Sequence, residues 1–579
     1  MRRFIISVAS VGLFALVARP QTYVVPSALH PSIQAAINAA PPAGAVISIQ
    51  PGVYVENLAV TNKSLTLEGV GRGVTIIDGG GTAPCLNVVS TSTFGLLTTV
   101  RGLTLQNGRG VVSGSTEIGG GIRNDFAGVV AEDCEVAFNA AGGSGRAGLG
   151  AGVSSVLGSL TLRRCVVSGN LAAPAGSADA PSRGGGVYVQ SGGATIEDCS
   201  FFGNGATEGS GVYINAFFCT INRTLFDGNG ALAVPPTSAA VGRGAVFFFG
   251  LQATLSNCLV INGLSEADPG VVLAGAAAFT APHQIRGCTI TANFATGSGP
   301  SVGAVRVDGV SADIVNTICW GNSGAEIGMQ VGTGAGALAL SHSDVQQASF
   351  PGAGVTLGAN VMNVNPKFVA AANGDFHLQA ISPLLDAGAS AGLAGAFDLD
   401  GDPRIAGAGG DIGADERHVL VEWIARGSVP DGFGGLSDVL FVNGRSGDYG
   451  RVVHARPGEA LVVDVAQPVS NTVPAEFIVW GMWEFPTAAD ATPLGFGLEP
   501  LCIPSALAFP NDPRLFTLTS TDTTGTLGAF YPALPAPLSL QLGSIPQAFL
   551  GASIALQGII FTGPVHVETT NAVALTVRP

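Results

Sequence analysis

The chain is 579 residues long with a formal net charge of −15, yet only 11% of its residues are charged, and Lys63 and Lys367 are its only lysines. A negative field of this size opposes nucleic acid and anionic membrane surfaces, and it opposes polyuronates unless a divalent cation bridges. With 84 glycines and 47% apolar residues, the composition suits a tightly wound all-β protein, and the regular strand patterns described below argue against low-complexity disorder.

In chain order, Met1-Arg2-Arg3 precedes an apolar run from Phe4 to Val17, and Ala18 offers a small residue for cleavage. Residues 1–18 therefore read as a signal peptide, which implies a secreted, extracellular or cell-surface protein. An apolar run of about 14 residues falls short of the roughly 20 that a spanning helix needs, and no later segment does better, so no transmembrane segment is expected. Pro31 to Ala40 has helical apolar spacing, and the stretches Val46 to Ile49 and Pro51 to Asn57 read as strands. A short amphipathic helix within a cap of about residues 22–60 is predicted to plug one end of the fold.

From Gly121 a glycine ahead of an apolar strand is followed by an asparagine at a fixed distance. The pairs are Gly121/Asn139, Gly152/Asn170, Gly186/Asn204, Gly211/Asn229, Gly244/Asn262, Gly275/Asn293 and Gly303/Asn322, 18 residues apart in the first six and 19 in the last, whereas the return from Asn to Gly ranges from 7 to 16. A length-locked arc stacks in register and a variable arc carries loops, which predicts a solenoid with loops 140–151, 171–185, 230–243 and 263–274 on its decorated side. Within one repeat, Ile196 and Cys199 can both point inward if the chain turns a corner at Glu197-Asp198. Cys134, Cys165, Cys199 and Cys288 share one repeat position with Thr224 and Thr317. A position that accepts threonine is a packing site, so buried thiols are expected ahead of disulfides. The asparagines are expected to face inward and bond their counterparts in neighbouring coils.

Two charged columns flank the cysteine position. One runs Arg101, Glu132, Arg163, Glu197, and its neighbour runs Asp133, Arg164, Asp198, Arg223. Alternating signs predict an ion-pair ladder between stacked corners. The competing readings are a ligand strip for sugar hydroxyls formed by Glu132, Asp133, Arg163, Arg164, Glu197, Asp198 and Arg223, or catalytic acid/base work by Arg163, Arg164, Glu197 and Asp198. His283, just ahead of another corner, reads as a solvated residue. The turn Asp398-x-Asp400-x-Asp402 has the oxygen spacing of the start of a calcium loop, but Pro403 and Gly409 depart from that pattern, so turn capping with Arg404 as partner is the preferred role. No other cofactor is expected. Trp480 and Trp483 read as core residues of the last block, with sugar stacking as the alternative.

Strands that recur every 25 to 34 residues and pair with their counterparts make parallel sheets, and the crossover rule winds them to the right. The pattern resembles the right-handed parallel β-helix proteins of the pectate-lyase-like superfamily. The stretch Ser32-Ile33-Gln34-Ala35-Ala36-Ile37 with Pro51-Gly52-Val53-Tyr54-Val55-Glu56-Asn57 is similar to the cap and first coil of pectinesterases. Downstream, Asn316 to Asn322, Ser341 to Gln346, Asn365 to Phe368, Gly374 to Leu378, Ser382 to Gly388, Asp398 to Arg404 and Asp411 to Glu416 resemble, in order, the choice-of-anchor Q β-helix proteins of bacterial surfaces. These resemblances imply a polysaccharide or cell-surface protein as partner. The local catalytic motifs of pectinesterases, polygalacturonases and pectate lyases are absent from the sequence.

The expected architecture is all-β: a right-handed parallel β-helix over 19–417 with an N-terminal capping helix and an Asp/Gly-rich C-terminal cap at 386–417, then a β-sandwich over 418–579. The expected function is non-catalytic binding of a glycan or a cell-surface partner. A polysaccharide lyase, hydrolase or esterase is the alternative.

Overall fold

The computed structural model describes residues 21–416, apart from short loop stretches, and the strands between Leu440 and Val577. Residues 1–18, Asp402 and Cys502 lie outside the described residues. The chain resolves into two units: one runs to Phe368 and includes Ile381–Glu416, and the other comprises Val369–Ala380 with the residues from Arg417 onward.

In the first unit, three long parallel sheets run along the coil. Sheet one has 13 strands, from Gln21–Val25 to Val355–Leu357; sheet two has 12, from Gly52–Val55 to Val361–Met362; sheet three has 10, from Leu58–Thr61 to Ala325–Gln330. A fourth sheet of six short strands spans Ala140–Gly142 to Phe294–Ala295. One coil passes through Val187–Gln190 in sheet three, Gly193–Glu197 in sheet one, Ser200–Phe202 in sheet two and Gly205–Ala206 in the short sheet.

In three successive coils, four left-handed residues make the corners. They are Gly119, Phe126, Asp133 and Phe138, then Gly150, Leu157, Arg164 and Gly169, then Gly184, Ser191, Asp198 and Gly203, all with φ between +53° and +68°. The corners are spaced 7, 7 and 5 residues apart in every one of these coils, and this is the origin of the locked arc. Strand side chains alternate in and out, so one residue added between corners would turn an entire strand face outward. At Gly184 the corner also demands glycine, because a Cβ there would lie 2.3 Å from the Val187 carbonyl oxygen.

Inside, each sheet contributes an unbroken apolar column. In sheet one Ile47, Leu67, Val100, Ala131, Leu162 and Ile196 are consecutive register partners and all fully buried. Phe201 and Phe226 stack with ring centroids 4.8 Å apart, the separation of hydrogen-bonded strands. The eight described cysteines are buried free thiols, as expected.

The asparagines form an amide file. Nδ2 of Asn139 donates to Oδ1 of Asn170 at 3.0 Å, Asn170 to Asn204 at 2.9 Å, and Asn204 to Asn229 at 2.9 Å. Beyond Asn229 the sequence register slips. Val212 pairs with Val246 and Asp227 with Ile261, so Ala245 and Gly263, not Gly244 and Asn262, occupy the two repeat positions. Gly270 and Ala304 likewise replace Gly275 and Gly303. The cause is a one-residue deletion between Gly244 and Val246 relative to Gly209 and Val212, together with a longer connection between Ala274 and His283, neither of which alters the visible glycine pattern. Cys258, paired with Thr224 in this register, joins the cysteine column. Gly263 leaves a gap in the amide file, which resumes with Nδ2 of Asn293 donating to Asn322 at 2.8 Å.

The predicted helix is present at Ile33–Ala39 and buries Ile33, Ala36 and Ile37 in the same core as the coils. It is too short to be stable alone, and the first coils hold both ends. Ser32 Oγ and the two Glu56 carboxylate oxygens accept the free N–H groups of Ala35, Ile33 and Gln34. Lys63 Nζ donates to the carbonyls of Ile37, Asn38 and Ala40 at 2.6–3.1 Å. A carboxylate at the N-terminus and a cation at the C-terminus match the helix dipole.

The segment Ile381–Glu416 lies along the corner of the last coils. Asn316 exchanges two side-chain hydrogen bonds with the backbone of Ala389, and the N–H of Ala414 donates to Thr289 Oγ1 at 3.0 Å. In the second unit, Leu440–Val442, Ala460–Val465 and Leu538–Ser544 form a three-stranded antiparallel sheet. A six-stranded sheet is organised about Ser553–Gly563, which pairs antiparallel with Glu476–Trp483, His566–Thr569 and Val573–Val577. The side chains of Trp480 and Trp483 lie outside the description.

Candidate functional site

The charged columns meet at the corner between sheets one and two, and all seven candidate ligand residues lie in one patch. Glu132, Arg163 and Glu197 end successive strands in register, so their side chains project side by side. Arg101 Nε lies 2.7 Å from Glu132 Oε2, Glu132 Oε1 lies 3.6 Å from Arg163 Nη1, and Arg163 Nε lies 3.1 Å from Glu197 Oε2. The neighbouring column occupies the left-handed corner itself. Arg164 donates through Nε and Nη2 to both oxygens of Asp133, each at 2.9 Å, and Arg223 does the same to Asp198 at 2.6 and 2.9 Å. The Asp133 carboxylate holds the Arg164 guanidinium above its usual range, and Asp198 does the same for Arg223. Bidentate pairing fixes these carboxylates as acceptors, which leaves them badly placed to donate a proton to a leaving group.

A second ladder went unread in the sequence. Leu149, Arg183, Glu208, Arg243 and Asp268 are bridged coil to coil, four of them directly before a left-handed or turn residue of the corner ahead of sheet three. Arg183 Nε lies 2.8 Å from Glu208, and Arg243 lies 3.6 Å from Asp268 and 3.3 Å from Asp308. Beneath it, Tyr188, Tyr213 and Phe247 stack along the outer face of sheet three with centroids 5.7 and 5.0 Å apart, and the Arg183 guanidinium sits 5.0 Å over the Tyr213 ring. Burial pushes the Tyr213 phenol up. The rings are covered and offer no platform. Its sequence signal was a charged residue of alternating sign one position ahead of the corner glycine, as in Arg183-Gly184, Glu208-Gly209 and Arg243-Gly244.

Three titratable groups are internal. His283 is 2% exposed, not solvated as its position ahead of a corner suggested. It begins a strand of sheet one with its ring turned inward, its Nδ1 accepts the Ala253 N–H at 3.2 Å, and burial lowers its pKa to about 4. Asp344, buried in sheet two, accepts the Val364 N–H through Oδ1 at 2.9 Å while Oδ2 has no partner among the described residues, and burial raises its pKa to about 7. Glu326 is also raised by burial, and caps Asn322 at the end of the amide file.

Of the acidic turn, Asp398 is fully buried and accepts the Glu416 N–H at 3.0 Å, while Asp400 is exposed. The buried Arg404 donates to the carbonyls of Asp411 and Gly413, both at 2.9 Å. Among the described residues its partners are backbone oxygens, whereas the sequence had suggested the aspartates.

Stacked parallel coils with inward amides are the signature that decides the family. The family described as right handed beta helix region matches residues 51–290 and 151–365, together more than half of the chain. The chain belongs to this family. Among solved structures, this β-helix protein is similar to a pectin methylesterase mutant in complex with a hexasaccharide, at 13% identity over 62% of this chain and 98% of that chain, with a TM-score of 0.22. No curated protein matches it. No helix among the described residues is long and apolar enough to cross a membrane.

Proposed function

We propose that this β-helix protein is secreted or surface-associated and binds a polysaccharide without cleaving it. The observation that carries the reading is the corner ladder. Glu132, Asp133, Glu197 and Asp198, the acids of the candidate corner, are each matched to a guanidinium, and His283 and Asp344 are sealed inside. The choice-of-anchor Q resemblance of residues 316–416 supports a surface setting, and the mainly antiparallel strands after residue 440 are taken as a β-sandwich that serves attachment or a second contact. A glycan array run beside reducing-sugar and unsaturated-product assays on the same polymers tests the proposal. Binding with no product is the expected result; turnover that disappears in Glu197→Ala overturns it.

A further inference from the structure

The corner between sheets three and one carries an apolar ridge. Leu97, Phe126, Leu157, Phe217, Phe218 and Phe249 are each between 41% and 60% exposed. They fall at this corner in neighbouring coils. The N–H of Phe126 bonds the Val156 carbonyl, that of Leu157 bonds Gln190, that of Ser191 bonds Asn215, and that of Phe217 bonds Gly192. The one coil without a large side chain, at Ser191-Gly192-Gly193, is overlaid by the Phe218 ring, which occupies the space a Cβ on Gly193 would need. Six coils of continuous apolar surface extend about 24 Å along the axis at the spacing of paired strands.

Backbone conformation gives the second observation. Phe126 and Leu157 hold φ of +59° and +55°, a region that bulky L side chains disfavour and that Gly or Asn would occupy with less strain. Burial offsets that strain only in part, since 42% of Phe126 and 43% of Leu157 stays exposed. Residues that are exposed and also conformationally disfavoured are not explained by stability, and such strain gathers where a ligand is met.

Beside the ridge, on the outward face of sheet one, Thr99, Thr161, Thr195, Thr220 and Thr254 form a file interrupted by Val130. Among the described residues, no other side chain engages the hydroxyls of Thr161, Thr195 or Thr220. No charged residue stands between ridge and file in these coils, and the ladder on the far side of the file is neutralised by its own pairing.

We infer that an extended, uncharged glycan chain lies along this strip, its sugar-ring faces on the phenylalanines and its hydroxyl edges on the threonines. The inference rests on the glycan-binding reading and adds to it a site and a ligand class. The strip offers the same contacts once per coil in a straight line, which suits a polymer of like units. It is amphipathic across its width as a sugar ring is, with apolar faces and polar edges. Its lack of charge, on a protein of net charge −15, selects against polyuronates. The locked arc, rather than the loop-bearing one, is then the binding face.

The full-length protein is tested by affinity electrophoresis in glucomannan, xylan and soluble β-glucan, with polygalacturonate as the charged control. The variants are Phe126→Gly and the double substitution Phe217→Ser, Phe218→Ser. The parent should be retarded by at least one neutral polymer and not by polygalacturonate, and the double variant should bind about tenfold more weakly. Phe126→Gly should also bind more weakly while melting at the same temperature or higher, because glycine relieves the corner, and a purely structural residue would not show that pairing. Neutral-glycan binding that ignores both variants sinks this inference and leaves the binding reading standing. Failure of the parent to bind any glycan sinks the binding reading itself. A parent that dimerises, with ridge variants that are monomeric and unchanged in glycan binding, would assign the ridge to a second copy of the chain and overturn the inference.

Discussion

Two ladders run the length of the same coils, one inside and one outside, and they differ in what they do for the protein. The inner one is made of amides. Asn170 is fully buried; its Nδ2 donates to Val136 O and Asn204 Oδ1, both at 2.9 Å, and its Oδ1 accepts from the N–H and Nδ2 of Asn139, both at 3.0 Å. Each of these groups would be stranded without its neighbour, at about 1–3 kcal/mol for a buried polar group left unsatisfied. The outer ladder repeats as faithfully, but water can replace every partner in it, and exposed ion pairs contribute about 0–1 kcal/mol each. Regularity in a repeat is therefore no measure of its energetic weight; burial is.

Three measurements sharpen that contrast, taken from the largest effect down. Asn170→Ala strips several buried donors and acceptors of partners in two coils, and chemical denaturation should show a loss of about 3–5 kcal/mol; a loss no greater than that of an outer-ladder variant would erase the distinction. Next comes Asp344→Asn. Burial raises the Asp344 carboxyl from its ordinary 3.8 to about 7 in the folded chain. As pH rises from about 4 to about 7 the unfolded chain ionises first, so this group subtracts stability progressively over that window and fully above it. D344N should therefore melt on the order of 5 °C higher than the parent at pH 8 and no higher near pH 3, and an offset independent of pH would rule the buried acid out. Smallest is the Asp133–Arg164 pair, for which a double-mutant cycle should give a coupling below about 1 kcal/mol that shrinks further in high salt. A salt-insensitive coupling of several kcal/mol would show the outer ladder to be structural after all.

The sequence was legible where burial imposes a residue type. The inward asparagines from Asn139 to Asn229, the cysteine column and the Glu197-Asp198 bend all stand where spacing placed them, because each coil repeats the same corners. It ceased to be legible where the register could slide without changing composition. A missing residue before Val246 and a longer connection between Ala274 and His283 moved four repeat positions onto Ala245, Gly263, Gly270 and Ala304. His283 misled because a residue four positions before a corner can face either way, and only strand pairing decides. The charged corner was found because its signs alternate at constant intervals; the Arg183–Glu208 ladder has the same alternation but lies on the variable arc, where no spacing announces it. The apolar ridge escaped notice for a different reason. Its members sit at a corner between two strands, Phe126 and Leu157 in the place of a turn residue, and left-handed geometry cannot be seen in a phenylalanine.

The missing amide at Gly263 has a mechanical consequence. One position outward Asn262 Nδ2 reaches Asp227 Oδ1 at 2.8 Å, but within the file no described side chain joins Asn229, whose Nδ2 goes to the Phe201 and Asp227 carbonyls, to Gly263, whose N–H reaches Asn293 Oδ1 at 2.9 Å. Nor could one be added, since a Cβ on Gly263 would lie 2.6 Å from the Pro269 carbonyl oxygen. The amide file is thus zipped in two lengths that meet at a seam. Pulled end to end, it should part there first, with each length keeping its own zip closed.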